Sequence, residues 1–76
     1  MVKLMQLFLD TLRQGGPSYA VEPADKGFLI VRREGHDDAF NRIARQVRDE
    51  SGVHYSAFLR PDGRGGYDCV HIVPHD

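Results

Sequence analysis

The chain predicts an α+β fold, a two-layer αββαββ sandwich in which two helices cover one face of a four-stranded antiparallel sheet. Three observations predict it. An amphipathic helix, a glycine stop and a hairpin of β-branched and aromatic residues occur twice within 76 residues, from Val2 to Arg33 and from Asp37 to Val73. No linker separates the copies, and each carries a Tyr at the same early point of its first strand, Tyr19 and Tyr55. Residues 1–76 therefore read as a single domain with one shared core. A chain of this size buries only roughly 60% of its unfolded surface on folding, so its function is expected on an open face rather than in a deep cavity.

The first helix rests on Met5, Phe8, Leu9 and Leu12, which recur at the i, i+3, i+4, i+7 spacing of one helical face. Leu4 and Leu7 widen that stripe beyond what one sheet needs. Gly15 and Gly16 followed by Pro17 end it, since Gly accepts a left-handed cap and Pro cannot continue a helix. Ser18 to Glu22 and Phe28 to Arg33 are strands, joined by the turn residues from Pro23 to Gly27. Asp37 and Asp38 place carboxylates where a helix N-terminus favours them, ahead of Phe40, Ile43, Ala44 and Val47. Gly52 ends this second helix, on whose outer side Asp38 and Arg42, and Arg45 and Asp49, stand four apart with opposite charge. Val53 to Arg60 and Tyr67 to Val73 form the second hairpin, around a glycine-rich turn from Pro61 to Gly66.

Directly opposed residues must share a face, which constrains register. Setting Val21 opposite Leu29 and Tyr19 opposite Val31 gathers one apolar face and turns Ala20, Phe28 and Ile30 to the other. Setting Tyr55 opposite Val70 and Val53 opposite Ile72 does the same in the second hairpin. His54 then faces His71, Ser56 faces Cys69 and Phe58 faces Tyr67. The element order is that of a ferredoxin-like βαββαβ arrangement whose first strand has moved to the end of the chain, a circular permutation with expected strand order 3-4-2-1. That is a likeness of topology, and folds of this kind carry many functions.

Composition narrows the function classes. Ten Lys and Arg against eleven Asp and Glu leave a net charge of -1, whereas a general nucleic-acid binder usually shows a basic excess. The lone Cys69 excludes an intrachain disulfide and suits a reducing compartment. Lys3, Gln6 and Asp10 interrupt the apolar N-terminal run, which reads as neither a secretory leader nor a spanning helix. The expectation is a cytoplasmic protein without a membrane partner.

Four features bear on chemistry. With both helices on the tyrosine side, the uncovered face would carry Phe28, Ile30, Phe58, Tyr67, Cys69, His54, His71 and Val73, an apolar patch of the kind that marks a protein contact. His54, Cys69 and His71 form a weak metal-ligand set, without clustered CxxC spacing, and equally a thiol with a base. That base lacks an orienting group, because Asp68 alternates away from Cys69. Arg32, Arg33, Arg42, Arg45 and Arg48 are interleaved with Asp38, Asp49 and Glu50, the pattern of a solvated, salt-paired surface. The glycine-rich turn joins two strands, whereas a phosphate-cradling loop opens a helix; it reads as ordinary turn geometry or as a flexible tip flanked by Arg60 and Arg64.

The expected function is a non-catalytic protein-interaction module without a cofactor, pairing with a second copy or docking a protein through the open sheet face. Phe28, Ile30, Phe58, Tyr67, His54 and His71 are its expected contact residues. The first alternative is single-stranded nucleic-acid binding by sheet aromatics and arginines. The second is a metal- or thiol-dependent enzyme at His54, Cys69 and His71.

Overall fold

In the computed structural model, helix α1 spans Val2–Arg13, β1 Tyr19–Pro23, β2 Phe28–Arg32, α2 Asp37–Glu50, β3 Tyr55–Pro61 and β4 Tyr67–Pro74. The structure describes residues 2–52 and 54–75, with side chains from Leu7 onward. Val53, expected opposite Ile72, and the side chains of Leu4 and Met5 lie outside the described residues. The protein is an α+β sandwich whose four strands form one antiparallel sheet in the order β1-β2-β4-β3, the expected 3-4-2-1 read from the opposite edge.

Helical periodicity explains what lies between the layers. Leu9 and Leu12 of α1, and Phe40, Ala44 and Val47 of α2, are buried against Tyr19, Phe28, Ile30, Tyr55, Val70 and Ile72. Both helices therefore cover one sheet face. On the solvent side of α2 the expected i,i+4 ion pairs do not close among the described residues; Arg48 meets Asp49 instead, at 3.6 Å.

The first hairpin departs from its expected register by one residue. Val21 pairs with Ile30 and Tyr19 with Arg32, so Phe28 and Ile30 point into the core and Leu29 and Val31 point away. Phe28 is 4% exposed and Ile30 fully buried, and the guanidinium of Arg13 lies 5.0 Å over the Phe28 ring. The cause is the position of β2 between two neighbours. A central strand can be apolar on both faces, and the run Phe28-Leu29-Ile30-Val31 carries no period-two signal to choose between them. One residue of slip then inverts every side chain.

The second hairpin slips by four residues, an even number, so its faces survive. Phe58 lies opposite His71, Ser56 opposite Val73 and Arg60 opposite Cys69. His54 precedes β3, and its carbonyl accepts from the backbone N–H of His75, so His75 rather than His71 is its cross-strand neighbour. Tyr67 pairs with Pro61 beyond a break in register after Arg60. This bulge turns Tyr67 toward the helices, where its N–H donates to Asn41 Oδ1 (3.0 Å), its hydroxyl lies 3.4 Å from Arg48 Nη1, and its ring packs on the core.

Asp62 sets this pairing. Its carboxylate accepts from the backbone N–H of Arg64 (2.7 Å) and Gly66 (3.2 Å) and from Arg32 Nη1 (2.8 Å), tying the turn to the end of β2. The Arg64 N–H first, then Arg32, with a smaller part from the Gly66 N–H, hold the Asp62 carboxyl below its ordinary titration range. The glycine-rich turn is thus organised by one carboxylate and docked on the sheet end, in keeping with its reading as turn geometry.

Tyr55 closes the last turn of α2. Ser51 N–H bonds the Arg48 carbonyl, and the Val47 carbonyl accepts instead from the Tyr55 hydroxyl at 2.6 Å. Helix-terminal carbonyls need such outside donors. Burial, with a smaller effect of the Glu50 charge, pushes the Tyr55 phenol up to about 12. Replacing Tyr55 with Phe should cost about 1–3 kcal/mol, since a buried acceptor loses its donor. The wild type should also lose stability as pH rises from 10.0 toward 12, where the unfolded phenol ionises and the folded one does not. Urea midpoints at pH 8 and pH 11 check both: Tyr55→Phe starts lower and falls less between the two.

Candidate functional site

The sheet face turned away from the helices is built from two cross-strand rows. Glu22, Leu29, His71 and Phe58 form one, running from β1 through β2 and β4 to β3. Ala20, Val31, Cys69 and Arg60 form the other, and Val73 with Ser56 extends the β4–β3 side. The centre of the face is apolar, with Glu22 at its β1 edge and Arg60 at its β3 edge. Phe58 is 59% exposed; with Leu7 of α1 it is one of two large hydrophobic side chains so exposed among the described residues.

The expected contact residues divide. Phe58 and His71 share the open face, their ring centroids 6.0 Å apart at an interplanar angle of 44°. Phe28 and Ile30 belong to the core and Tyr67 to the helix side, for the reasons of register and bulge given above. His54 lies outside the strands, at the β3 end of the sheet. In their place the face presents Leu29 and Val31, which the expected register had put on the helix side, while Val73 and Cys69 stay on the open face as expected. The signal that finds Leu29 and Val31 is the continuous apolar run of β2, once β2 is known to be a central strand.

The His/Cys group does not converge as expected. His54 is not opposite His71, and no three His, Cys, Asp or Glu side chains among the described residues are placed to hold a metal ion. His71 Nε2 lies 2.7 Å from the Lys26 carbonyl. A carbonyl only accepts, so Nε2 carries the proton and is committed to it. Burial pushes the Cys69 thiol up; the charges of Asp68 and Glu22 add to this and that of Arg60 opposes it. A buried thiol of raised pKa is held away from the thiolate that acts as nucleophile or ligand.

The arginines are largely engaged in holding the fold. Arg32 bonds Asp62 and meets Asp37 at 3.5 Å, and Arg33 Nε donates to the Tyr19 carbonyl at 3.1 Å. At the sheet edge, Arg60 Nε donates to Asp68 Oδ1 at 2.8 Å. No described helix is long and apolar enough to cross a membrane. No protein-family model matches the chain, and neither a curated protein nor a solved structure does.

Proposed function

We propose that the protein is a small non-catalytic interaction module whose contact surface is the open sheet face on the β3 side, with Phe58 as its anchor. The observation that carries this reading is the position of Phe58: a ring 59% exposed, beside His71, on a face that neither helix covers. An aromatic ring held on a rigid strand loses little entropy when a partner covers it, and such residues supply much of the energy of protein interfaces. Val73 extends the apolar surface beside it, while Ser56 and Arg60 provide a polar rim. The partner this surface fits is a second copy of the chain, which presents the same ring in return.

The test is mass in solution by light scattering over a concentration series. The wild type should rise above the 8.6 kDa of one chain, and Phe58→Ala should shift the rise to at least about tenfold higher concentration. Because the ring is exposed, its thermal midpoint should stay near that of the wild type. A wild type that remains at one chain throughout, or a Phe58→Ala variant that associates equally well, removes this reading.

A further inference from the structure

The two sheet edges are not equivalent, and their difference identifies a mode of pairing. In an antiparallel ladder, residues alternate between bonding the neighbouring strand and pointing their N–H and C=O outward. Ser18 accepts from Arg33 N–H, so the outward residues of β1 are Tyr19, Val21 and Pro23. The Tyr19 carbonyl is taken by Arg33 Nε and by Gly16 N–H, and Pro23 has no N–H. Only Val21 keeps both groups, and the β1 edge is blunted.

At the other edge His54 accepts from His75 N–H, so Tyr55, Ala57 and Leu59 point outward from β3. Gly52 N–H takes the Tyr55 carbonyl at 2.8 Å. Ala57 and Leu59 keep both N–H and C=O without a hydrogen-bond partner among the described residues. Between them, on the open face, stands Phe58.

We propose that β3 pairs antiparallel with β3 of a second copy, about a twofold axis at Phe58, joining the two sheets edge to edge. This rests on the self-association form of the reading above and names its geometry. Ala57 exchanges both backbone bonds with the partner's Leu59, and Leu59 with the partner's Ala57. Phe58 then meets the partner's Phe58 in a non-hydrogen-bonded pair, the site where opposed side chains approach most closely and aromatic pairs stabilise a sheet. The strand is self-complementary in this register. Arg60 falls opposite the partner's Ser56 rather than opposite another cation, and Tyr55 falls opposite the partner's Pro61. The two open faces become one continuous surface of twice the width.

The test uses a charge exchange at the axis with a control on the face. Phe58→Lys and Phe58→Glu, each alone, place like charges opposite each other and should weaken dimerisation at least about tenfold. An equimolar mixture of the two should recover a dimer containing one chain of each, read by light scattering and by native mass. Leu29→Glu, two strands from the edge, should dimerise as the wild type does. A wild-type dimer whose charge variants fail to recover on mixing, or that Leu29→Glu dissolves, overturns edge pairing and leaves self-association through the face standing. A wild type that stays monomeric removes both.

Discussion

Gly27→Ala should be among the most damaging single substitutions in the chain, leaving the domain largely unfolded at room temperature. Gly27 ends the β1–β2 turn with φ of 72°, a left-handed conformation that costs an L residue about 1–2 kcal/mol. The larger cost is steric. A Cβ there would run into the carbonyl oxygen of Ile72 and come within 2.9 Å of Val73 Cα, both backbone atoms of the central strand β4. Relief requires β2 and β4 to move apart at the Phe28–Ile72 pair, which sits over the core. Gly63 is the control, with φ of 83° and open space around its would-be Cβ, so Gly63→Ala should cost only the conformational 1–2 kcal/mol, approximately. A domain of this length holds roughly 4–11 kcal/mol in total, so a loss beyond about 4 kcal/mol at Gly27 consumes much or all of it. Urea denaturation followed by far-ultraviolet circular dichroism separates the two variants. Equal midpoints would mean that β4 does not pass Gly27 as described.

The same crossing shows what could be read from the residues alone and what could not. Helix positions were legible because the spacing of Phe40, Ile43, Ala44 and Val47 fits one period and no other. Sheet order followed from the repetition of helix and hairpin. The facing of β2 was not legible, since Phe28, Leu29, Ile30 and Val31 are all apolar and only the turn length decides their parity. The candidate site inherited that ambiguity, exchanging Phe28 and Ile30 for Leu29 and Val31. Phe58 and His71 kept their side because β3 and β4 slipped by an even number. Asp62 was visible as a turn residue, but its reach to Arg32 depends on a contact thirty positions distant in sequence, which no local pattern encodes. The bulge that turns Tyr67 inward also arises from how this loop closes.

Ile30→Ala tests that parity directly and should cost about 2–5 kcal/mol, because the side chain is fully buried and its removal leaves a cavity between sheet and helices. Leu29→Ala removes a side chain of equal size from the adjacent residue, yet should cost only about 1 kcal/mol, since Leu29 is half-buried on the open face and water can fill the space it leaves. The pair is informative because backbone context, strand and neighbours are nearly the same, so only the direction of the side chain differs. Chemical denaturation of both variants at neutral pH reads the difference. A larger loss at Leu29 than at Ile30 would return Phe28 and Ile30 to the open face. A larger loss at Ile30 leaves the face with Leu29, Val31 and Phe58. On that face an association that weakens with Phe58→Ala but survives Leu29→Glu belongs to the β3 edge.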